Sequence, residues 1–366
     1  MKTRMLVLLL AVISLPGSAF AQRPKITNAK IEETAAGTSL RGIVDSVAQR
    51  QTGPEWIGYR IPAKATERTM CCFDSWQDHS AGSKCCKGCR MDSDHGVSVN
   101  GTMSDCAPPE PLPYAFIFLR LSNKRIEKAR AFSADCPLDF AGLPVHWSEG
   151  VKPEESIDLL TSLASGSDDE DGDRKAGHNA VMAIAMHDVP AADTALEKLI
   201  QPDRPLKLRE NVAFWLGVER GKKGVEILEE AIKGDQDERF REKVTFAFSQ
   251  SYSQGKEPQA LKDLISMAHN DPSPRVRGQA IFWMAQIGGK KQAEQITAAI
   301  EDDPETEVKK KAVFALSQLH DGEGVPLLIN VAKTNKNPAV RKQAMFWLGQ
   351  SHDERALAYL EEVLTK

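Results

Sequence analysis

The stretch "QAIFWMAQIGG", residues 279–289, decides the fold, because it is a run of large apolar side chains within otherwise polar sequence. Close variants of it occur elsewhere in the chain, as "NVAFWLGV" at 211–218 and "QAMFWLGQ" at 343–350. Each copy has a phenylalanine at the same place. Repetition of this kind predicts that one structural unit recurs along the chain.

The copies can be aligned on the position of that phenylalanine. The aligned residues, separated by 32, 32, 36, 32 and 32 positions, are Met182, Phe214, Phe246, Phe282, Phe314 and Phe346. Each is followed by a turn and a second apolar helix, as in "KGVEILEEAIK", and preceded by a turn rich in Asp, Asn and Pro, as in "NDPSPRVR". One helical hairpin in each period is typical of an α-solenoid.

The first 21 residues have the organisation of a signal peptide. Lys2 and Arg4 precede an apolar core at 5–15, and Ala-Phe-Ala at 19–21 offers a small-x-small cleavage site. The core is shorter than the ~20 residues that a membrane-spanning helix needs. We therefore expect an exported mature protein, periplasmic or secreted, with no membrane insertion after cleavage.

The repeats resemble HEAT repeats, and specifically the short HEAT-like repeats of phycobilin lyases. The pattern of Val-Arg, an Ala-rich helix, an Ile-Gly turn and a Leu-rich helix is matched from residue 276 onwards, and Val308-Lys309 and Val340-Arg341 match its opening. The resemblance implies the fold but no single function, because HEAT arrays serve as scaffolds, carriers and lyases. It implies no chromophore lyase, since those proteins work in the cytosol and this chain begins with an export signal.

The composition differs between the two halves of the chain. Strand-like text, "EWIGYRIPA" at 55–63 and "YAFIFLRLSNKRIEKARAF" at 114–132, lies in the N-terminal half. All seven cysteines lie there too: Cys71, Cys72, Cys85, Cys86, Cys89, Cys106 and Cys136. We predict an α+β multidomain chain with a signal peptide (1–21), a small β-rich, Cys-rich domain (22–150) and an α-solenoid of about six HEAT-like hairpins (151–366). Within the solenoid we expect a capping helix at 153–164, an acidic loop at 166–173 and the repeats at 174–366.

The cysteine cluster allows two interpretations. Export to an oxidising compartment favours three disulfides and one unpaired cysteine, with no bound metal. Alternatively, the C-x-x-C spacing of Cys86 and Cys89, with His79 and His95 nearby, would serve thiol-redox or metal-dependent chemistry while the solenoid recruits substrate. A count of free thiols and bound zinc in the mature protein distinguishes the two.

Other features of the sequence point away from several classes of function. Removing residues 1–21 leaves 45 Lys and Arg against 51 Asp and Glu, a net charge of −6, which does not indicate a nucleic-acid partner. No phosphate loop, hydrolase elbow or haem motif is present, so we expect no cofactor. The acidic run at 165–175 fits a solvated linker better than a calcium loop, and the His-Asp pairs at 187, 320 and 352 fit turns and helix caps.

The phenylalanines at the aligned position form what we call the phenylalanine row: Phe214, Phe246, Phe282, Phe314 and Phe346. On a helix of 100° per residue, Val276, Ala280 and Trp283 share one face, so we expect Trp283 and its equivalents Trp215 and Trp347 to be core residues. Phe282 projects about 145° away from the centre of that face.

Three arrangements would account for an apolar row on that side. Neighbouring units could close over the rings, the Cys-rich domain could cover part of them, or the row could be an open strip roughly 40 Å long. An open strip would bind an extended partner polypeptide. We therefore predict a non-catalytic protein-binding scaffold whose contact residues are the phenylalanine row.

Overall fold

The N-terminal part of the molecule is built around a five-stranded sheet. In a computed structural model of the chain, the described residues are 23–35, 37–64, 89–91, 112–133, 136–166, 173–255 and 257–365. Their strands are β1 (Ile26–Thr27), β2 (Lys30–Glu33), β3 (Glu55–Pro62), β4 (Cys89–Arg90), β5 (Tyr114–Ser122), β6 (Arg125–Ser133), β7 (Leu138–Asp139) and β8 (Pro144–Ser148), and helix α1 (Leu40–Arg50) precedes β3. The order of the sheet is β2-β8-β3-β5-β6, and β1-β7-β4 form a second, small parallel sheet.

The two predicted strand regions are confirmed. The first becomes β3, and the second becomes the antiparallel hairpin of β5 and β6. Its turn is Asn123-Lys124, with φ of 51° and 62°, so both turn residues adopt the left-handed conformation that two-residue hairpin loops require.

The C-terminal half of the described chain is a series of helical pairs. After α2 (Pro153–Ser165), the first helices of the pairs are α3 (Asp173–Met186), α5 (Leu206–Glu219), α7 (Glu238–Gly255), α9 (Pro274–Ile287), α11 (Thr306–Ser317) and α13 (Pro338–Gln350). The second helices are α4 (Pro190–Leu199), α6 (Gly221–Ile232), α8 (Pro258–Asn270), α10 (Lys290–Asp302), α12 (Gly324–Thr334) and α14 (Glu354–Thr365). Each first helix packs against the first helix of the next pair, as expected for a solenoid. None of the described helices has the length and apolar character needed to cross a bilayer.

One of the first helices is longer than its neighbours. Helix α7 has 18 residues, whereas α5 and α9 have 14 each. Phe246 is the ninth residue of α7, as Phe214 and Phe282 are of α5 and α9, so the additional four residues follow the phenylalanine. They account for the one interval of 36 residues in the sequence period.

The sheet shares its hydrophobic core with the first helices. Ile57, Tyr59 and Ile61 of β3 belong to a core that continues through α2 and α3 into the later pairs. Trp56 points to the opposite face of the sheet and packs edge-on against Phe140, with ring centroids 5.7 Å apart. The predicted boundary near residue 150 therefore falls between β8 and α2, at a place where the core is continuous.

Cys89 and Cys136 are the two cysteines within the described residues. Both are fully buried beside the aromatic face of the sheet, and neither carries a free thiol. Cys71, Cys72, Cys85, Cys86 and Cys106 lie outside the described residues, as does most of the acidic loop (167–172). The predicted disulfide arrangement therefore stays a prediction.

A buried chain of hydrogen bonds joins the sheet to the helices. Ser156 Oγ lies 2.9 Å from Tyr59 Oη and 3.0 Å from His187 Nε2. His187 Nδ1 lies 2.7 Å from the carbonyl oxygen of Ala183, which can only accept, so Nδ1 carries the proton and Nε2 accepts from Ser156. Ser156 in turn accepts from Tyr59. All three side chains have 0% exposure, so each needs the others to satisfy its polar group.

An arginine–aspartate ladder connects the helical pairs to the turns between them. Its members are the buried ion pairs Arg209–Asp235, Arg241–Asp271 and Arg277–Asp303. Arg277 shows the arrangement: Nε and Nη2 donate to the Asp303 carboxylate at 2.7 and 3.0 Å, and Nη1 donates to the backbone oxygen of Asp271 at 2.9 Å. Each arginine therefore binds the turn after its own pair and also a backbone oxygen before that pair, which for Arg209 is the oxygen of Ile200.

The next helical pair, α11 and α12, lacks this ion pair because both of its members are replaced. Lys309 occupies the arginine position, and Asn335 occupies the aspartate position. Lys309 Nζ instead donates to the backbone oxygen of Glu301 at 2.6 Å from a partly exposed position. Asn335 keeps the turn contact with the Asn337 N–H at 3.0 Å, and its Nδ2 donates to Glu301 Oε1 at 3.3 Å. Replacement of both residues leaves no buried charge without a counter-charge.

We predict that Arg277→Met lowers the free energy of unfolding by about 3–5 kcal/mol, because it leaves the buried Asp303 carboxylate unpaired. Lys309→Met at the equivalent position is the matched control and should cost less than about 1 kcal/mol. Urea denaturation followed by circular dichroism measures both. Equal losses for the two variants would contradict the role given to the ladder.

We also predict a loss of stability at acid pH that depends on His187. Burial lowers the pKa of His187 to about 4, and the nearby Arg220 acts in the same direction. Since an unfolded histidine has a pKa of about 6.5, the unfolded state binds the extra proton between these values. The free energy of unfolding should thus be fully retained above pH 6.5 and fall by about 3 kcal/mol as the pH drops towards 4.

The variant His187→Gln should lack this pH dependence, whatever its absolute stability. His352→Gln, at an exposed histidine, should retain it. Urea midpoints measured between pH 4 and 8 provide the comparison, and an unchanged slope in His187→Gln would show that other groups are responsible.

Candidate functional site

The phenylalanine row lies on the first helices of five successive pairs. Each phenylalanine is the ninth residue of its helix, on α5, α7, α9, α11 and α13. The first four rings are half-buried, and Phe346 is 53% exposed. The row is therefore neither fully covered nor fully open.

The rings stack in pairs along the solenoid. Phe214 and Phe246 have ring centroids 5.9 Å apart with an interplanar angle of 15°, and Phe282 and Phe314 are 6.2 Å apart at 8°. Contacts of this kind contribute about 0.5–1.5 kcal/mol beyond the area they bury. Neighbouring units therefore cover the flat faces of the rings and leave part of each ring accessible.

Tryptophans connect one stacked pair to the next. Trp283 lies 4.6 Å from Phe246 and 5.0 Å from Phe282, so it bridges the two pairs. Trp347 connects Phe314 to Phe346 in the same way, with ring centroids 4.9 and 5.0 Å from theirs. The phenylalanine row together with Trp215, Trp283 and Trp347 is a continuous chain of aromatic rings, which we call the aromatic row.

The prediction that these tryptophans are core residues is correct only in part. Trp215, Trp283 and Trp347 are packed against the core but partly exposed. The indole ring is long enough to extend beyond the core and meet a phenylalanine of the same or a neighbouring helix. The three indole N–H groups are buried and have no hydrogen-bond acceptor among the described residues.

A row of glutamines, which we did not predict, accompanies the aromatic row. Gln250, Gln286, Gln318 and Gln350 each follow a phenylalanine by four residues, so they lie on the same face of their helices. The last three are exposed, and Gln250 is half-buried. The alignment that identifies the phenylalanines also contains this signal. An amide side chain both donates and accepts, as recognition of a polypeptide backbone requires.

The sheet lies apart from this surface, and the histidines and the His-Asp pairs serve structural roles. Among the described residues the sheet packs on α3, next to the N-terminal end of the aromatic row. Asp353 accepts from the backbone N–H of Arg355 and caps α14, as expected, and its hydrogen bond to the Arg355 side chain lowers the pKa of Asp353 to about 2. Ser156 and His187 resemble a nucleophile and a base, but both are fully buried. The described residues contain no cluster of three metal-ligating side chains.

We predict that the double variant Phe282→Gln, Phe314→Gln lowers the free energy of unfolding by about 1–2 kcal/mol, because it removes one stacked pair but little core. Phe248→Gln, at a fully buried phenylalanine of α7, should cost about 3–5 kcal/mol or more. Chemical denaturation measures both. A loss in the double variant as large as that of Phe248→Gln would identify the row as core.

Comparison with known proteins is consistent with this architecture. Residues 225–317 and 293–366 match a family described as HEAT repeats. No curated protein matches the chain. Human deoxyhypusine hydroxylase in complex with glycerol is 16% identical over 57% of this chain and 90% of its own, with a TM-score of 0.25. The CpcE and CpcF complex of phycocyanin lyase from Nostoc sp. PCC7120 is 16% identical over 56% of this chain and 80% of its own, with a TM-score of 0.28. At these scores the two structures carry no argument about the function of this chain.

Proposed function

Because the helical pairs at the C-terminal end of this chain are HEAT repeats, we propose that the protein is a non-catalytic scaffold that presents a fixed surface to a partner polypeptide. The observation that supports this most is the aromatic row, which is continuous over five units and partly exposed along one side. Contiguous apolar surface of this kind is typical of an interaction site.

The arrangement of the row favours an extended segment as the partner. First helices packed at ~8–10 Å match about three residues of extended chain per repeat. Apolar side chains of the segment would rest on the aromatic rings, while Gln286, Gln318 and Gln350 would bind its backbone. We therefore assign the contact to the phenylalanine row and to these glutamines.

Rigidity of the surface is part of the proposed mechanism. The arginine–aspartate ladder binds each pair to its flanking turns, and the stacked rings connect successive first helices. A surface held in this way loses little conformational entropy when a partner docks. The solenoid would thus contribute to affinity by remaining in the conformation that binds.

We further propose that the scaffold acts outside the cytoplasm. The signal-peptide organisation of residues 1–21 supports export, and the absence of a free thiol at Cys89 and Cys136 agrees with an oxidising compartment. Three disulfides and one unpaired cysteine would then stabilise the N-terminal domain.

Site-specific photo-crosslinking tests the binding surface. Benzoylphenylalanine placed at position 282 or 314 of the mature protein should crosslink the same partner in an envelope extract, because both positions lie on the proposed contact surface. The same probe at Glu226 or Glu230 of α6 is the matched control and should give no such product. Mass spectrometry identifies the crosslinked protein.

Substitution of the glutamines beside the aromatic row completes the test. Gln286→Ala with Gln318→Ala, distant from the core, should weaken binding of the identified partner without changing the urea midpoint. Equal crosslinking at positions 282 and 226, or binding that is unaffected by these substitutions, would contradict the proposal.

A further inference from the structure

Exposed apolar side chains are concentrated on the last helical pair. Among the described residues, the large apolar side chains with substantial exposure are Ile31 (40%), Phe346 (53%), Leu357 (58%), Val363 (43%) and Leu364 (86%). Four of these five belong to α13 and α14. These two helices therefore carry most of the exposed large apolar side chains of the described part of the chain.

The outer side of α13 has the same construction as the sides by which other first helices contact their neighbours. A Cβ on Gly217 of α5 would lie 2.5 Å from the backbone oxygen of Ala247, so this glycine permits close approach of α7. Gly349 occupies the same position of α13, and a Cβ there would meet nothing within 4 Å. Phe346 likewise occupies the position from which Phe282 stacks on Phe314. The side of α13 is therefore shaped to receive another helix.

Helix α14 carries an apolar stripe of its own. Leu357 and Leu364 are separated by seven residues and share a face, with Glu361 between them. All three are exposed. This stripe is an apolar helix face of the kind that the open side of α13 is shaped to receive.

The charges of the two helices are complementary. Residues 324–352 contain Lys333, Lys336, Arg341 and Lys342 and no acidic residue. Helix α14 contains Glu354, Glu361 and Glu362, and its single basic residue, Arg355, is paired with Asp353. A basic α13 and an acidic α14 in the same unit are what a self-complementary surface requires.

Arg341 adds a specific binding site for a carboxylate. It occupies the arginine position of the arginine–aspartate ladder and donates to the backbone oxygens of Asn335 and Lys336 at 2.9 and 3.1 Å. Unlike Arg241 and Arg277, it has no carboxylate partner among the described residues. Its side chain is partly exposed, so a carboxylate from another molecule can reach it.

We propose that the occupant of this surface is a second copy of the chain, in a two-fold dimer in which α13 of each copy packs against α14 of the other. Lys342 of each copy would pair with Glu361 of the other, and Phe346 would lie against the Leu357–Leu364 stripe. The first pair cannot serve as the opposite half of a head-to-tail contact, because β6 packs on α3. A two-fold arrangement closes, so it produces a dimer and not a filament.

Charge reversal tests the proposal on the mature full chain by sedimentation velocity. The wild type should sediment at twice the chain mass. Lys342→Glu and Glu361→Lys should each raise the dimer dissociation constant about tenfold or more, because each creates two like-charge contacts per dimer. Lys243→Glu, at an exposed lysine of α7, is the matched control and should leave the dimer unchanged.

Mixing the two single variants decides the geometry. In the mixed dimer, the substituted side chains of the two variants face each other with opposite charges in one contact, and the unchanged Lys342 and Glu361 pair in the other. The 1:1 mixture should therefore regain the affinity of the wild type. A monomeric wild type, single variants that dimerise normally, or a mixture that stays monomeric would each overturn the proposal. Far-UV circular dichroism of each variant confirms that it is folded.

Discussion

The buried pairing of arginine with aspartate is the interaction on which the repeat array depends. A solenoid has no central core that gathers all its parts, so each unit must be positioned by its neighbours alone. Hydrophobic contact between helices is not directional and leaves their rotation and axial position loosely defined. A bidentate guanidinium–carboxylate contact is directional. Because Arg241 and Arg277 bind the turns on both sides of their own pair, they fix the rotation and axial position of α7 and α9. As a consequence, the aromatic rings of successive first helices lie next to one another.

The region around Lys309 and Asn335 shows how this constraint can be relaxed. An asparagine keeps the turn hydrogen bond that the aspartate makes, but it requires no counter-ion, and the lysine opposite it turns outward to the solvent. The stack continues there through the contact of Phe314 with Trp347. Apolar packing is thus sufficient to continue the array for one unit, while the ion pairs define its geometry in the units before it.

Much of the architecture could be predicted from local patterns, because helices and hairpins are specified by residues close together in the sequence. The repeat period, the hairpin of β5 and β6, and the common face of the phenylalanines are all of this kind. The arginines of the ladder also lie at a fixed position, five residues before the phenylalanine of their own unit, but their partners lie 26 to 30 residues away across a helix. The Tyr59–Ser156–His187 chain spans still longer separations and joins a strand to two helices. The partial exposure of Trp283 depends on a ring from a neighbouring unit, which no helical wheel contains.

The additional length of α7 illustrates how such an array tolerates change in the gene. Four residues correspond to little more than one helical turn of 3.6 residues, and they follow Phe246, so the side chains before them keep their orientation. An insertion of one or two residues at the same place would rotate everything beyond it by about 100° or 200° unless a loop absorbed the difference. The four additional residues of α7 therefore disturb the array less than an insertion of one or two residues would.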